Sequence, residues 1–342
     1  MKKPELLTKI LIGGIFLFGI FNIGCQEKIA FKNGNNDEYL SIEKYRVKEA
    51  KNWMSFIEKN KLVELEKMRK NGLITNANYL AKIGYAFMDD KLGRGKEDEL
   101  VCELFKHAYK LDPKNPEILL GLGRAYDMKG DEMLHHDNED NKEGKKGKKY
   151  KEDARRIFKK IIKNSPEFAD NAQYYLGASY CDSQTINDNN YQQSIQKFRE
   201  LIQLYPESKF CSKAQYGIGK CFENLKNYEN AIEEYRKVIE KYSQGEERIW
   251  ADRSIGWCYV WMKNYKNALS HFQKIVDNFP KTEYAGLALL DIAEIYKNNF
   301  REYNKAIEVY KEYLHNYAKT TIETETYQEE INTLKEKLKN EY

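Results

Sequence analysis

Residues 213–280 state one pattern twice. Ala214–Phe222 reads Ala-Gln-Tyr-Gly-Ile-Gly-Lys-Cys-Phe and is followed at Asn227–Tyr235 by Asn-Tyr-Glu-Asn-Ala-Ile-Glu-Glu-Tyr. Ala251–Tyr259 reads Ala-Asp-Arg-Ser-Ile-Gly-Trp-Cys-Tyr and is followed at Asn264–Phe272 by Asn-Tyr-Lys-Asn-Ala-Leu-Ser-His-Phe. Gly219 and Gly256 are 37 residues apart, and so are Ala231 and Ala268. A fixed period in this range marks a chain of helical units that cannot bury their apolar faces singly and therefore stack into a solenoid.

The bulk numbers agree with that reading. A chain of 342 residues is too long for one small core and suits an array. Charged residues make up 32%, hydrophobic ones 41%, and there are 26 Tyr but only 6 Pro. That is much solvated surface with aromatic knobs between helices. The formal charge is +4, of which residues 1–24 supply three Lys and one Glu. The near-neutral remainder gives no electrostatic argument for nucleic acid.

The N-terminus reads as a targeting segment. Lys2, Lys3 and Lys9 precede the apolar run Ile10–Phe21, and Asn22-Ile23-Gly24-Cys25 follows. A basic head, an apolar run of about a dozen residues and a small residue before the cut make a secretory signal. The run falls short of the roughly 20 residues that span a bilayer. The segment resembles a bacterial lipoprotein signal over residues 1–24, with Cys25 as the lipidated residue. Gln26 after that Cys implies sorting to the outer membrane, on its periplasmic face. An uncleaved anchor or an ordinary signal peptide, and so an inner-membrane or free periplasmic location, are the alternatives. Residues 25–40 read as a polar tether.

Residues 41–76 carry two amphipathic helices. Ser41 suits a helix N-cap, Val47, Ala50, Trp53, Met54 and Ile57 share one face, and Leu62, Leu65 and Met68 form a second, shorter stripe ended by Asn71-Gly72. They are either a degenerate repeat or a cap. Six units follow over residues 77–318. Each has a small residue and an aromatic on its first helix, then a small residue and an aromatic on its second. The first unit has Gly84 and Phe87, then Val101, Phe105, Ala108 and Pro113, and the second has Gly123, Tyr126, Ala154, Phe158 and Pro166. The third has Gly177, Tyr180, Ser194, Phe198 and Pro206, and the fourth has Gly219, Phe222, Ala231 and Tyr235. The fifth has Gly256, Tyr259, Ala268, Phe272 and Pro280, and the sixth has Ala293, Tyr296, Ala306 and Tyr310. This register resembles the tetratricopeptide repeat (TPR) family. The resemblance implies an all-α, right-handed superhelical solenoid of antiparallel helix pairs. Small residues let paired helices approach, and aromatics fill the adjacent holes.

Two further expectations concern insertions and the end. Residues 131–150 hold an acidic block and then a basic one without apolar periodicity, and read as a mobile loop, partly helical at its ends. Ile322, Tyr327, Ile331, Leu334 and Leu338 mark a C-terminal capping helix within residues 319–342. Tyr205-Pro206-Glu207-Ser208 and Phe279-Pro280-Lys281-Thr282 recur 74 residues apart, twice the period. This hinge resembles the repeats of bacterial envelope proteins of the BamD type and the Tol-Pal coordinator type. That implies a scaffold for outer-membrane protein assembly, or a structural coordinator of a cell-wall, Tol-Pal-like or secretion complex.

No catalytic constellation is present. Cys102, Cys181, Cys211, Cys221 and Cys258 match neither zinc nor redox spacing and read as small buried residues. His135 and His136 beside Asp137 read as a solvated polar stretch rather than a metal site. No metal, cofactor, small-molecule substrate or enzymatic activity is expected. The candidate site is a protein- or peptide-binding groove on the first helices. Trp250, Arg253, Trp257 and Trp261 share one helical stripe, with Tyr216 and Lys220 in the unit before and Tyr174 in the one before that. Trp, Tyr and Arg are the residues that most often dominate binding energy. The competing reading is that these aromatics fill contacts between helices.

Overall fold

A computed structural model describes residues 77–89, 97–136, 142–181, 188–242 and 246–340. The expectations for residues 1–76, Cys25 included, lie outside them. So do residues 90–96 of the first unit and 182–187 of the third. The described residues belong to one unit, Asn76–Tyr342. Among them are thirteen α-helices and no strand.

The helices pair in chain order. The first pair is α1 (Ala77–Asp89) with α2 (Glu97–Leu111), and the second is α3 (Pro116–His136) with α4 (Lys142–Asn164). Then come α5 (Ala169–Cys181) with α6 (Asp188–Leu204), and α7 (Cys211–Asn224) with α8 (Tyr228–Lys241). The last two are α9 (Glu246–Trp261) with α10 (Tyr265–Asn278), and α11 (Glu283–Ile295) with α12 (Tyr303–Asn316). α13 (Thr321–Asn340) closes the array. Each helix packs on its neighbours in sequence, and the first helices of successive pairs also touch. This is a helical solenoid.

Each small residue of the repeat lies under the aromatic of its partner helix. A Cβ added to Gly84 would stand 2.5 Å from a ring carbon of Phe105, and one on Gly123 2.6 Å from Phe158. The corresponding distances are 2.7 Å for Gly177 on Phe198, 2.5 Å for Gly219 on Tyr235 and 2.6 Å for Gly256 on Phe272. Five rings thus lie flat against bare backbone, which a side chain would push away. In the sixth pair Ala293 and Tyr310 are both buried, with the helices far enough apart for one methyl.

The turn from α7 to α8 is built the same way as that from α9 to α10. Lys226 and Lys263 take φ values of 57° and 58°, in the left-handed region that ends a helix. The next residue, Asn227 or Asn264, returns its N–H to Phe222 O (2.9 Å) or Tyr259 O (2.8 Å). The same Asn then caps the following helix, its side chain accepting from the N–H of Asn230 or Asn267. One residue therefore closes one helix and opens the next, which fixes the antiparallel reversal.

The segment expected to be a mobile loop is mostly helix, which corrects that expectation. α3 runs on to His136 and α4 begins at Lys142, leaving only residues 137–141 undescribed. In α4 the buried residues are Gly144, Gly147, Lys151, Ala154, Phe158 and Ile161. Their spacing alternates three and four, the stripe of a helix packed along its whole length. Gly130 and Gly147 bring the two backbones together: a Cβ on either would be 3.1–3.2 Å from the other's carbonyl oxygen. Lys151, 2% exposed, places its Nζ 2.8 Å from Asp127 Oδ1 and donates to both oxygens of Asp131. The polarity of the segment disguised a packed helix pair.

The expected capping helix is present. α13 buries Ile331 and Leu334 against Ala293, Ala306, Ile307 and Tyr310. It covers the apolar face that α12 would otherwise leave to solvent.

Candidate binding face

The proposed groove residues come from the first helices of pairs three, four and five. α9 carries Trp250, Arg253, Trp257 and Trp261, α7 carries Tyr216 and Lys220, and α5 carries Tyr174. Most of them are half-buried, and each has found a partner within the array. Arg253 makes a two-pronged ion pair with Asp291 of α11, at 2.6 Å from Nε and 2.9 Å from the guanidinium nitrogen. The Trp257 ring meets Phe272 edge-on at 5.9 Å. Trp250 meets Tyr284 edge-on at 5.3 Å. Tyr216 shares a hydrogen bond with Ser254 across α7 and α9 (3.2 Å), and Tyr174 stacks on Phe210 at 4.9 Å.

Asp291 is the electrostatic centre of this face. It is 5% exposed, and burial pushes its carboxyl above the usual carboxylate range, with Arg253 and Trp257 opposing the shift. Lys220 pairs with Glu223, whose second oxygen accepts the Tyr235 hydroxyl at 2.6 Å. The same device recurs two pairs on. Glu294 accepts from Lys297 and from the Tyr310 hydroxyl (2.6 Å). Burial opposes its ionisation, and these donors outweigh burial, holding Glu294 below the usual carboxylate range.

Trp261 is the exception. It is 44% exposed, stacked on Tyr228 at 5.4 Å and tilted against Trp257 at 6.1 Å. A large apolar ring is thus braced on both sides and left open to solvent. Met262 beside it is also exposed, at 38%, because α9 ends at Trp261 and the chain turns away.

A polar tie between paired helices was not anticipated. Four residues before the repeat Gly, Gln173 donates to Lys197 O and to Glu200 at 3.0 Å each. At the equivalent place Gln215 bonds Glu234, and Asp252 bonds His271 Nδ1 at 2.6 Å. The outer pairs put apolar residues there: Leu119 faces Ile157, and Leu289 faces Val309 at the matching register. The signal in the sequence is that one register position turns polar on both helices together, in pairs three to five only. A separate cavity of about 500 Å³ lies between α2, α3 and α4. Lys106, Lys110, Arg156 and Lys160 rim a floor of Leu119, Leu122, Tyr126 and Ile157.

The tetratricopeptide-repeat family model matches residues 171–208, 213–245, 254–282 and 287–320. Over these four stretches the chain is similar to tetratricopeptide repeats. The matched segments fall on the third to sixth helix pairs, which hold three of the five Gly-on-aromatic contacts and both shared-Asn turns. Similar solved structures include a TPR protein from Parabacteroides merdae, at 16% identity over 84% of this chain and 96% of that one, with a TM-score of 0.48. Pseudomonas aeruginosa pilF is similar at 14% identity over 74% and 97%, with a TM-score of 0.45. A TPR protein of Thermus thermophilus is similar at 17% identity over 63% and 99%, with a TM-score of 0.42. No curated protein matches the chain. Among the described residues no group of His, Cys, Asp and Glu has the geometry to hold a metal ion.

Proposed function

We propose that this chain is a lipid-anchored TPR scaffold of the cell envelope that holds partner proteins or peptides on its first-helix face, in outer-membrane protein assembly. The observation that carries the binding reading is Trp261, an exposed indole fixed between Tyr228 and Trp257. A rigid aromatic loses little conformational freedom on binding, which makes it an efficient anchor. The half-buried residues around it have a supporting role: Arg253, Trp257 and Asp291 hold α9 against α11 so that the indole keeps its place. The signal-like residues 1–24 and Cys25 support the anchor and the envelope location.

Pull-down from detergent-solubilised membranes tests the face. Trp261→Ala is expected to lose most partner recovery while its thermal midpoint stays at the wild-type value. Trp257→Ala is expected to lower the midpoint as well. Equal recovery by Trp261→Ala and wild type would sink the site. Metabolic palmitate labelling tests the anchor separately: label on wild type and none on Cys25→Ser is expected, and label surviving in Cys25→Ser defeats it.

A further inference from the structure

Cys181 and Cys221 bring their sulfurs within 3.5 Å of one another. Cys181 is the last residue of α5 and is partly exposed, whereas Cys221 lies within α7 and is fully buried. The single Cys221 S–H has two acceptors in reach, Ser194 Oγ at 3.3 Å and the Cys181 sulfur. The Lys220 ammonium also interacts electrostatically with Cys181. Cys181 is the more accessible of the two sulfurs, so an external disulfide reaches it first. The other thiols of the array are placed differently. Cys102 is fully buried and donates to Ala125 O (3.4 Å), and Cys211, 2% exposed, donates to Tyr205 O (3.2 Å). Cys258 is fully buried, and burial pushes its thiol up to about 12.

We propose that Cys181 and Cys221 are a redox-active pair that closes reversibly to a disulfide, with Cys181 attacking and Cys221 resolving. The oxidant is a small-molecule disulfide. The Cys181 thiolate attacks one of its sulfurs, forming a mixed disulfide and releasing one thiolate. The Cys221 sulfur then attacks the Cys181 sulfur, forms the intramolecular bond and expels the second thiolate. Both leaving groups take up the protons lost by the two cysteines. The small disulfide is reduced to two thiols and the protein pair is oxidised, so atoms and electrons balance. Closure needs the sulfurs to approach from 3.5 Å to about 2.05 Å. The bond would tie the end of α5 to α7, the first helices of adjacent pairs, next to Lys220. This inference does not depend on the proposed function.

Treatment of the reduced full-length protein with oxidised glutathione tests it. Mass spectrometry is expected to show the loss of two hydrogens, a peptide map joining Cys181 to Cys221, and reversal by dithiothreitol. Cys221→Ser, or Cys221→Ala should the serine disturb packing, is expected to keep one glutathione on Cys181. Cys181→Ser is expected to give neither an adduct on Cys221 nor a cross-link from it. A stable glutathione on Cys181 of the wild type, or a principal cross-link to another cysteine, would overturn the assignment.

Discussion

Gly256 shows how closely one residue is specified. As an isolated helical position it would gain from alanine, by up to about 1 kcal/mol of propensity. Its backbone instead supports the ring of Phe272, and a Cβ there would lie 2.6 Å from a ring carbon. Overpacking of this kind costs about 1–3 kcal/mol and exceeds the propensity gain. Gly256→Ala is therefore expected to destabilise the protein by about 1–2 kcal/mol in urea denaturation, and a gain in stability would contradict the packing. Arg253 makes a second prediction at this scale. Burial already lifts the Asp291 carboxyl above its ordinary value of 3.8, and Arg253 restrains the rise. Arg253→Ala removes that restraint and leaves a buried carboxylate without its cation, at a cost of about 3 kcal/mol at neutral pH. A carboxyl whose folded pKa exceeds its unfolded one holds its proton longer in the folded state. Its contribution is therefore most favourable below 3.8 and declines as pH rises through the folded value. The deficit of Arg253→Ala relative to wild type should be small in acid and widen toward neutrality, whereas a deficit independent of pH would refute the pairing.

At the scale of elements, the chain was legible wherever apolar periodicity and small residues coincide. The register of small residue and aromatic, Gly in five units and Ala293 in the sixth, can be read directly, because only a small residue fits under a ring. The pairing of α3 with α4 could not be read by hydrophobicity. Gly144, Gly147 and Lys151 hold the inner stripe of α4, and none of them scores as apolar. Glycine packs by absence of volume, and Lys151 packs because Asp127 and Asp131 neutralise it across the interface. Three-and-four spacing of small residues was the available signal. Lys151→Met is expected to cost about 3–5 kcal/mol, since two carboxylates are left buried without their cation. Adding Asp127→Asn and Asp131→Asn should recover a large part of it. Denaturation of the single and triple variants checks this, and equal losses in both would show that the lysine stem, not its charge, is what matters. The turns were only half legible. The Asn-Tyr-x-Asn-Ala phrase was visible as a repeat, but its first Asn proves to cap both ways.

At the scale of the whole molecule, periodicity tells which residues share a helix but not what the next helix brings to them. The stripe Trp250, Arg253, Trp257 and Trp261 was visible from spacing alone. That Asp291, 38 residues after Arg253, would take up that arginine was not, because the match lies across repeats. Stacking thus turns most of a candidate groove into mortar between pairs, and leaves Trp261 as the exposed remainder. The same stacking explains why α13 is needed: the apolar face of the last pair would otherwise meet water. The account's central claim is that partners meet the first-helix face at Trp261. It is tested most directly by placing a photo-crosslinking amino acid at Trp261 and, in a second protein, at Glu233, an exposed residue of the second helix α8. Illumination in cells should yield a discrete, reproducible adduct from position 261 and none from 233, whereas adducts at 233 alone, or the same adducts from both, would contradict it.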